Sequence, residues 1–296
     1  MQNYIQRWQA LPGNARGSLI ILVASMVGVL MSSLIKHVGQ TIPVIEILFI
    51  RQIIVLVIIS PVIFRNFSTV FKTKNYGMHG LRVSLSIVAM YTGFSAVVNM
   101  PLAEVTAISF ARILFTTILA IIFLKEVIGL RRWTSIIIGF VGVLVIIRPD
   151  LDNINVYALM AIISALFVSG GKIVLRKLSQ LDKTSTILTL HSVSITLVLV
   201  IPAYFQWVMP NLHEMIFIVL IGSFMSVMQW LFIQALRVGE AAAIAPMEYV
   251  RLIYAGIIGF IFFVEIPTVW TLSGAGIIVA STLYTMHRNT VKASQK

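Results

Sequence analysis

Apolar runs of roughly twenty residues alternate with short polar stretches along almost the whole chain. A bilayer core about 30 Å thick is crossed by a helix of about that length. The pattern therefore predicts ten transmembrane helices, at 17–35, 43–64, 80–98, 101–124, 133–147, 156–175, 184–207, 212–236, 241–264 and 267–286. The fifth is the shortest, with 15 uncharged residues between Arg132 and Arg148, whose side chains can snorkel and let a short helix span. The first is read as a retained span, since Lys36 and not a small-residue cleavage site follows it.

Composition agrees with this pattern. Of 296 residues, 59% are hydrophobic and 11% charged, too few charges to cover a globule with so much apolar surface, so an average soluble enzyme is excluded. Cysteine is absent, which removes disulfides, thiolate metal sites and cysteine nucleophiles. The net charge of +12 would suggest nucleic acid in a soluble protein, but here the basic residues occupy gaps between apolar runs. With the N-terminus inside, 17 of the 22 Lys and Arg lie in cytoplasmic segments. Only Lys36 and Arg148 lie outside, and Arg51, Arg112 and Arg251 lie within spans. Positive charge accumulates on the cytoplasmic side, so both termini are expected in the cytoplasm.

The stretch 104–148 resembles 240–288 in the same chain. Arg112 precedes Glu126 by 14 residues and Arg251 precedes Glu265 by 14. Around them, Glu104-Val105-Thr106-Ala107-Ile108 answers Glu240-Ala241-Ala242-Ala243-Ile244, and Trp133 with Gly139 answers Trp270 with Gly274. Five spans per half is an odd number, so the second half is expected upside down relative to the first, with a site near mid-membrane where they meet. Residues 1–149 and 150–296 then form two five-helix repeats of one all-α polytopic membrane domain. Small residues at helix-packing spacing, Ala24, Gly28 and Ser32, Ala161, Ala165 and Ser169, and Gly276 with Ala280, predict close helix contacts.

A charge near the bilayer centre costs about 2.5 to 3.5 kcal/mol and is retained with a partner or a cavity. Arg112 and Arg251 lie equally deep in the fourth and ninth spans. They read either as a two-sided clamp for a carboxylate or phosphate or as a lock between helices through a buried acid such as Glu248. Glu248 stands three residues before Arg251, on the same helix face, and can pair with it or receive an ammonium group. Tyr249 adds a ring and a hydroxyl. Pro246 removes a helical hydrogen bond and frees the Ala242 carbonyl, which reads as an opened backbone at a wet cavity or as a plain kink. Arg51 is read as structural, five residues from Glu46 and poorly spaced to pair with it. His191 lies well inside a span and reads as a packing residue or a proton-coupling group. Lys172 is expected to snorkel to the interface, and Glu104 and Glu240 to cap helix N-termini.

Taken together, Pro101-Leu102-Ala103-Glu104-Val105-Thr106-Ala107, Leu130-Arg131-Arg132-Trp133, Gly139-Phe140-Val141-Gly142-Val143-Leu144, Arg148-Pro149 and Ala245-Pro246-Met247-Glu248-Tyr249 resemble the EamA-type branch of the drug/metabolite transporter superfamily. The resemblance covers nearly the whole chain. It implies a ten-helix carrier of the bacterial inner membrane, built of two inverted repeats around a cavity lined by the third, fourth, eighth and ninth helices with parts of the first and sixth. Members similar at the ninth helix carry S-adenosylmethionine or riboflavin, and others export amino acids or drugs. The halves differ where His191 takes the place of Arg51.

In those cavity helices Tyr91, Asn99, Gln229, Trp230 and Gln234 are further candidate contacts, offering stacking surfaces and amides for a planar substrate. The candidate binding set is thus Arg251, Glu248, Tyr249, Arg112, Tyr91, Asn99, Gln229, Trp230 and Gln234, with Glu248 and His191 as candidate proton-coupling groups. No metal cluster, nucleophile triad or nucleotide loop is present in the sequence pattern, so no cofactor and no enzymatic activity are expected. The expected function is secondary transport of a zwitterionic or carboxylate-bearing metabolite, amino-acid- or vitamin-like, by alternating access. The alternative is export of amphipathic drugs or amino acids. The partners are a small molecule and the lipid bilayer, not nucleic acid, and the pattern is compatible with a homodimer.

Overall fold

A computed structural model describes residues 11–65, 67–124, 130–147, 155–238 and 245–280, and the regular elements among them are helical. They are α1 (Gly13–Val38), α2 (Val44–Arg65), α3 (Tyr76–Asn99), α4 (Leu102–Ser109), α5 (Ala111–Leu124), α6 (Leu130–Ile147), α7 (Val156–Leu181), α8 (Thr184–Phe205), α9 (Leu212–Val238), α10 (Val250–Phe263) and α11 (Val269–Ala280). Seven stretches are long and apolar enough to cross a bilayer, with shorter apolar helices beside them. Glu126, Arg148, Glu240, Ala242 and the tail beyond residue 280 lie outside the described residues, as do the side chains of Gln229 and Pro246.

Two predicted spans are interrupted. The fourth is divided into α4 and α5 at Phe110, whose N–H donates to Ala107 at 3.1 Å while its own carbonyl accepts from Ile113 at 3.0 Å. These i→i+3 bonds mark a locally tightened turn. The described part of the ninth begins with a 3₁₀ turn, Ala245–Tyr249, before α10 starts at Val250. Pro246 within that turn has no N–H to donate to a helical ladder.

Local chemistry fixes the helix ends. Asn155 caps α7 by accepting from the N–H groups of Tyr157 and Ala158 at 3.0 and 3.3 Å. Asn211 and Glu214 form a reciprocal capping box at the start of α9, at 2.8 and 3.0 Å. Glu46 does not pair with Arg51; it accepts the Val208 N–H at 2.9 Å and fastens the α8–α9 connection to α2.

Small side chains set the packing. Ala96, Ala107, Ala111, Ala158, Ala161, Ala165 and Ala275 share one buried cluster, which lets backbones approach where lipid supplies no hydrophobic drive between helices. In α11 the packing face differs from the expected one. Gly276 and Ala280 are exposed, and Gly274 instead meets Gly142 of α6, where a Cβ on either glycine would lie 2.6–2.8 Å from the other's carbonyl oxygen. The most extensive helix pairs are α1 with α9 and α3 with α7. Exchanging the first five spans for the last five converts one pair into the other.

One end of the bundle carries the α1–α2 and α3–α4 connections with Lys36; the opposite end carries His79 and the α7–α8 connection. At the Lys36 end, the Lys36 ammonium pairs with Glu265 and donates to the Met100 carbonyl. The other Glu265 oxygen accepts the Leu102 N–H at 2.8 Å. Glu265 is placed for this by Val264, whose left-handed backbone (φ 56°, ψ 32°) turns the chain back over α10. At the opposite end, His79 and Thr73 contact Asp182 at 2.9 and 2.8 Å and hold the start of α3 against the α7–α8 connection.

Candidate functional site

A cavity of about 290 Å³ lies between α1, α5, α7, α9 and α10, extending from mid-depth toward the His79 end. Ile21, Ala24 and Ser25 form its α1 wall, and Met228 and Phe232 its α9 wall. Its charged lining is Arg112, Lys172, Glu248 and Arg251. Arg112 is the second residue of α5 and Arg251 the second of α10, so each arginine follows directly on a broken span. The breaks touch: the Phe110 and Tyr249 rings meet edge to face with centroids 4.9 Å apart. Ser169 of α7 steadies the first break through its hydroxyl, within 2.8 Å of both the Arg112 and the Ala165 carbonyl oxygens.

The arginines line the same cavity, and the ion pair is one of the two that the sequence left open. Glu248 pairs with Arg112 of the opposite half, Nη2 to Oε2 at 3.2 Å, and not with Arg251 three residues away on its own segment. Glu248 stands in the 3₁₀ turn and Arg251 in the first turn of α10, and the guanidinium that reaches the carboxylate comes from α5. Arg251 keeps its guanidinium within reach of Gly28, and its buried Nε has no hydrogen-bond partner. Lys172, an exposed residue, also lines the cavity, on a helix that continues to Leu181 beyond the apolar run that ends at residue 175.

Other candidates lie elsewhere. Tyr91 and Trp230 are exposed on the outside of the bundle, at 40% and 59%. Gln234 is half-buried and absent from the cavity lining. Asn99 faces a depression at the Lys36 end, its amide donating to the Ser95 carbonyl at 2.8 Å. His191 sits 3.0 Å from the Ser86 hydroxyl, between α8 and α3. Arg51 is 2% exposed and is held by the sulfurs of Met225 and Met90 and the Phe94 ring, as a structural cation. Glu104 accepts from the Thr271 hydroxyl at 3.2 Å, joining α4 to α11.

Comparisons with known proteins identify the family. The profile of the EamA-like transporter family matches the sequence twice, over residues 15–148 and 155–286. The chain belongs to the EamA-like transporter family. Similar proteins include an S-adenosylmethionine uptake transporter of Rickettsia bellii, 30% identical over 94% of each chain. A riboflavin transporter of Vibrio cholerae is 25% identical over 95% of this chain and 96% of its own. A pseudopaline exporter of Pseudomonas aeruginosa is 24% identical over 90% and 94%. One crystal structure superposes with a TM-score of 0.61 over 93% of this chain and 98% of its own at 14% identity, which speaks for the fold alone. The chain is accordingly a multi-pass membrane transporter for a small molecule.

Proposed function

We propose that this EamA-type chain is a secondary carrier of the bacterial inner membrane that moves a small organic metabolite bearing an acidic group. Ten spans in two inverted five-helix halves, 1–149 and 150–296, rock around the mid-membrane cavity, with both termini in the cytoplasm. The observation that carries the reading is the joint presence of Arg251 and the Arg112–Glu248 pair in one cavity where the two broken spans meet. Guanidinium groups hold carboxylates and phosphates in bidentate geometry, and half-helix starts at mid-membrane are a recurrent carrier device. The exchangeable packing of α1 with α9 and α3 with α7 supports the inverted plan. On the charge-based orientation, the cavity reaches toward the cytoplasm while Lys36 and Glu265 close the outer end, an inward-facing state of an alternating-access cycle.

The similar proteins act in both directions, uptake for S-adenosylmethionine and export for pseudopaline, and the exporter reading for this chain rests on the second of these. Glu248 offers a place for an ammonium group only when it leaves Arg112, so a simple acid fits the cavity better than a zwitterion. Counterflow in proteoliposomes tests the proposal: internal unlabelled substrate should accelerate entry of label. Arg251→Ala should abolish that acceleration in a protein that still inserts and folds. Acceleration that survives in Arg251→Ala removes this residue from the site.

A further inference from the structure

The carrier reading uses Arg251 and the Arg112–Glu248 pair and leaves Lys172 without a task. Three cations and one carboxylate line the cavity among the described residues, an excess of two positive charges. Glu248 is committed to Arg112 at 3.2 Å. Neither Arg251 nor Lys172 has a carboxylate within 4.0 Å among the described residues, and the Arg251 Nε, though buried, has no hydrogen-bond partner. Charge in a membrane interior is retained against a partner or in a wet cavity. Arg51 finds its partners in two sulfurs and a ring, whereas Arg251 and the exposed Lys172 share the cavity lining with a carboxylate that is already paired.

Resting on the carrier reading, we infer that the transported species is a dianion, with its two negative charges on two carboxylates or on one phosphoryl group, and that Lys172 selects for the second charge. Arg251 engages one acidic group with its planar fork of donors, and Lys172 supplies a compact point charge that is satisfied in any orientation. Ile21, Met228 and Phe232 leave apolar wall for a short carbon skeleton. A net cation is opposed by the same field. S-adenosylmethionine carries a sulfonium and an ammonium against one carboxylate, so this cavity discriminates against the compound named for the Rickettsia bellii relative.

Thermal shift in nanodiscs and counterflow in proteoliposomes, with succinate, glycerol 3-phosphate, lactate and S-adenosylmethionine as probes, test the inference. At least one dianion should stabilise the protein and drive counterflow, with the single carboxylate of lactate roughly tenfold weaker and S-adenosylmethionine inactive. Lys172→Met should lower dianion affinity about tenfold and erase the preference over lactate, whereas Lys172→Arg should keep it. Binding of S-adenosylmethionine or lactate as tight as the best dianion overturns the inference, as does a Lys172→Met protein with unchanged preference or a wild type that binds neither dianion. Counterflow of S-adenosylmethionine alone would sink the dianion and leave the carrier standing. Binding of a dianion without any counterflow would sink the carrier instead.

Discussion

Phe110 and Tyr249 contact each other edge to face, with ring planes at 63°. They are counterparts by position: Phe110 and Arg112 lie 139 residues before Tyr249 and Arg251. The ring pair thus joins the two interruptions from which the cavity arginines project. Phe110 is 1% exposed, and truncating a buried phenylalanine costs about 3–5 kcal/mol. Phe110→Ala should lower the melting temperature markedly and slow counterflow more than it weakens binding, while Phe110→Leu should retain most of both. A Phe110→Ala protein that melts with the wild type would show that the two breaks are independent.

The helices were legible because twenty-residue apolar runs have no alternative in lipid, where each backbone group must bond within its own segment. The break at Phe110 was not, for neither proline nor glycine marks it, and the i→i+3 turn is stabilised by Tyr249 and by Ser169 from other spans. Only the repeat spacing pointed there, by setting Phe110 opposite a residue that follows Pro246. The exposure of Lys172 agrees with a lysine near the end of an apolar run, but its place in the cavity lining was not legible, since it depends on the face that α7 turns to α5. Glu248 was legible as an acid that either arginine could use, and only the packing of α5 against the ninth span gives it to Arg112.

The Lys36–Glu265 pair closes one end of the bundle, tied further to α4 through Leu102 and Met100. Removing one partner of a buried pair costs about 3–5 kcal/mol, which here should fall on the closed state and shift the population toward opening. The sequence contains no cysteine, so a single reporter can be introduced cleanly at Ala24 on the cavity wall. In Glu265→Gln, labelling of Ala24→Cys by an impermeant maleimide from the Lys36 side should rise at least about tenfold. An unchanged rate would mean that the pair is not a closure.

At the other end, burial pulls the Asp182 carboxyl upward, but hydrogen bonds from His79, Thr73 and Asn75 outweigh it and hold the group below its ordinary value of 3.8. A depressed folded-state pKa means that the carboxylate stabilises the fold above its unfolded value and loses that contribution as pH falls through the folded one. Asp182→Asn should therefore melt below the wild type at about pH 7, and the gap should narrow below about pH 4. A gap independent of pH would assign the loss to packing.

Gly142 and Gly274 allow α6 and α11 to cross in backbone contact. A Cβ at Gly274 would meet the Gly142 carbonyl oxygen at 2.6 Å and Ile146 at 2.5 Å, and overpacking of this kind costs about 1–3 kcal/mol. Gly274→Ala should lower thermal stability, whereas Gly276→Ala, where nothing lies within 4 Å, should not. Equal melting of the two variants would refute the close crossing.

Val264 adopts a backbone conformation that costs a side-chain-bearing L-residue about 1–2 kcal/mol, and Glu265 hangs from it rather than from a helix. On the carrier reading, the ion pair at that mouth thus hangs from a single strained residue outside α10, so that release of the barrier and retention of a cargo at Arg251 would be separable events.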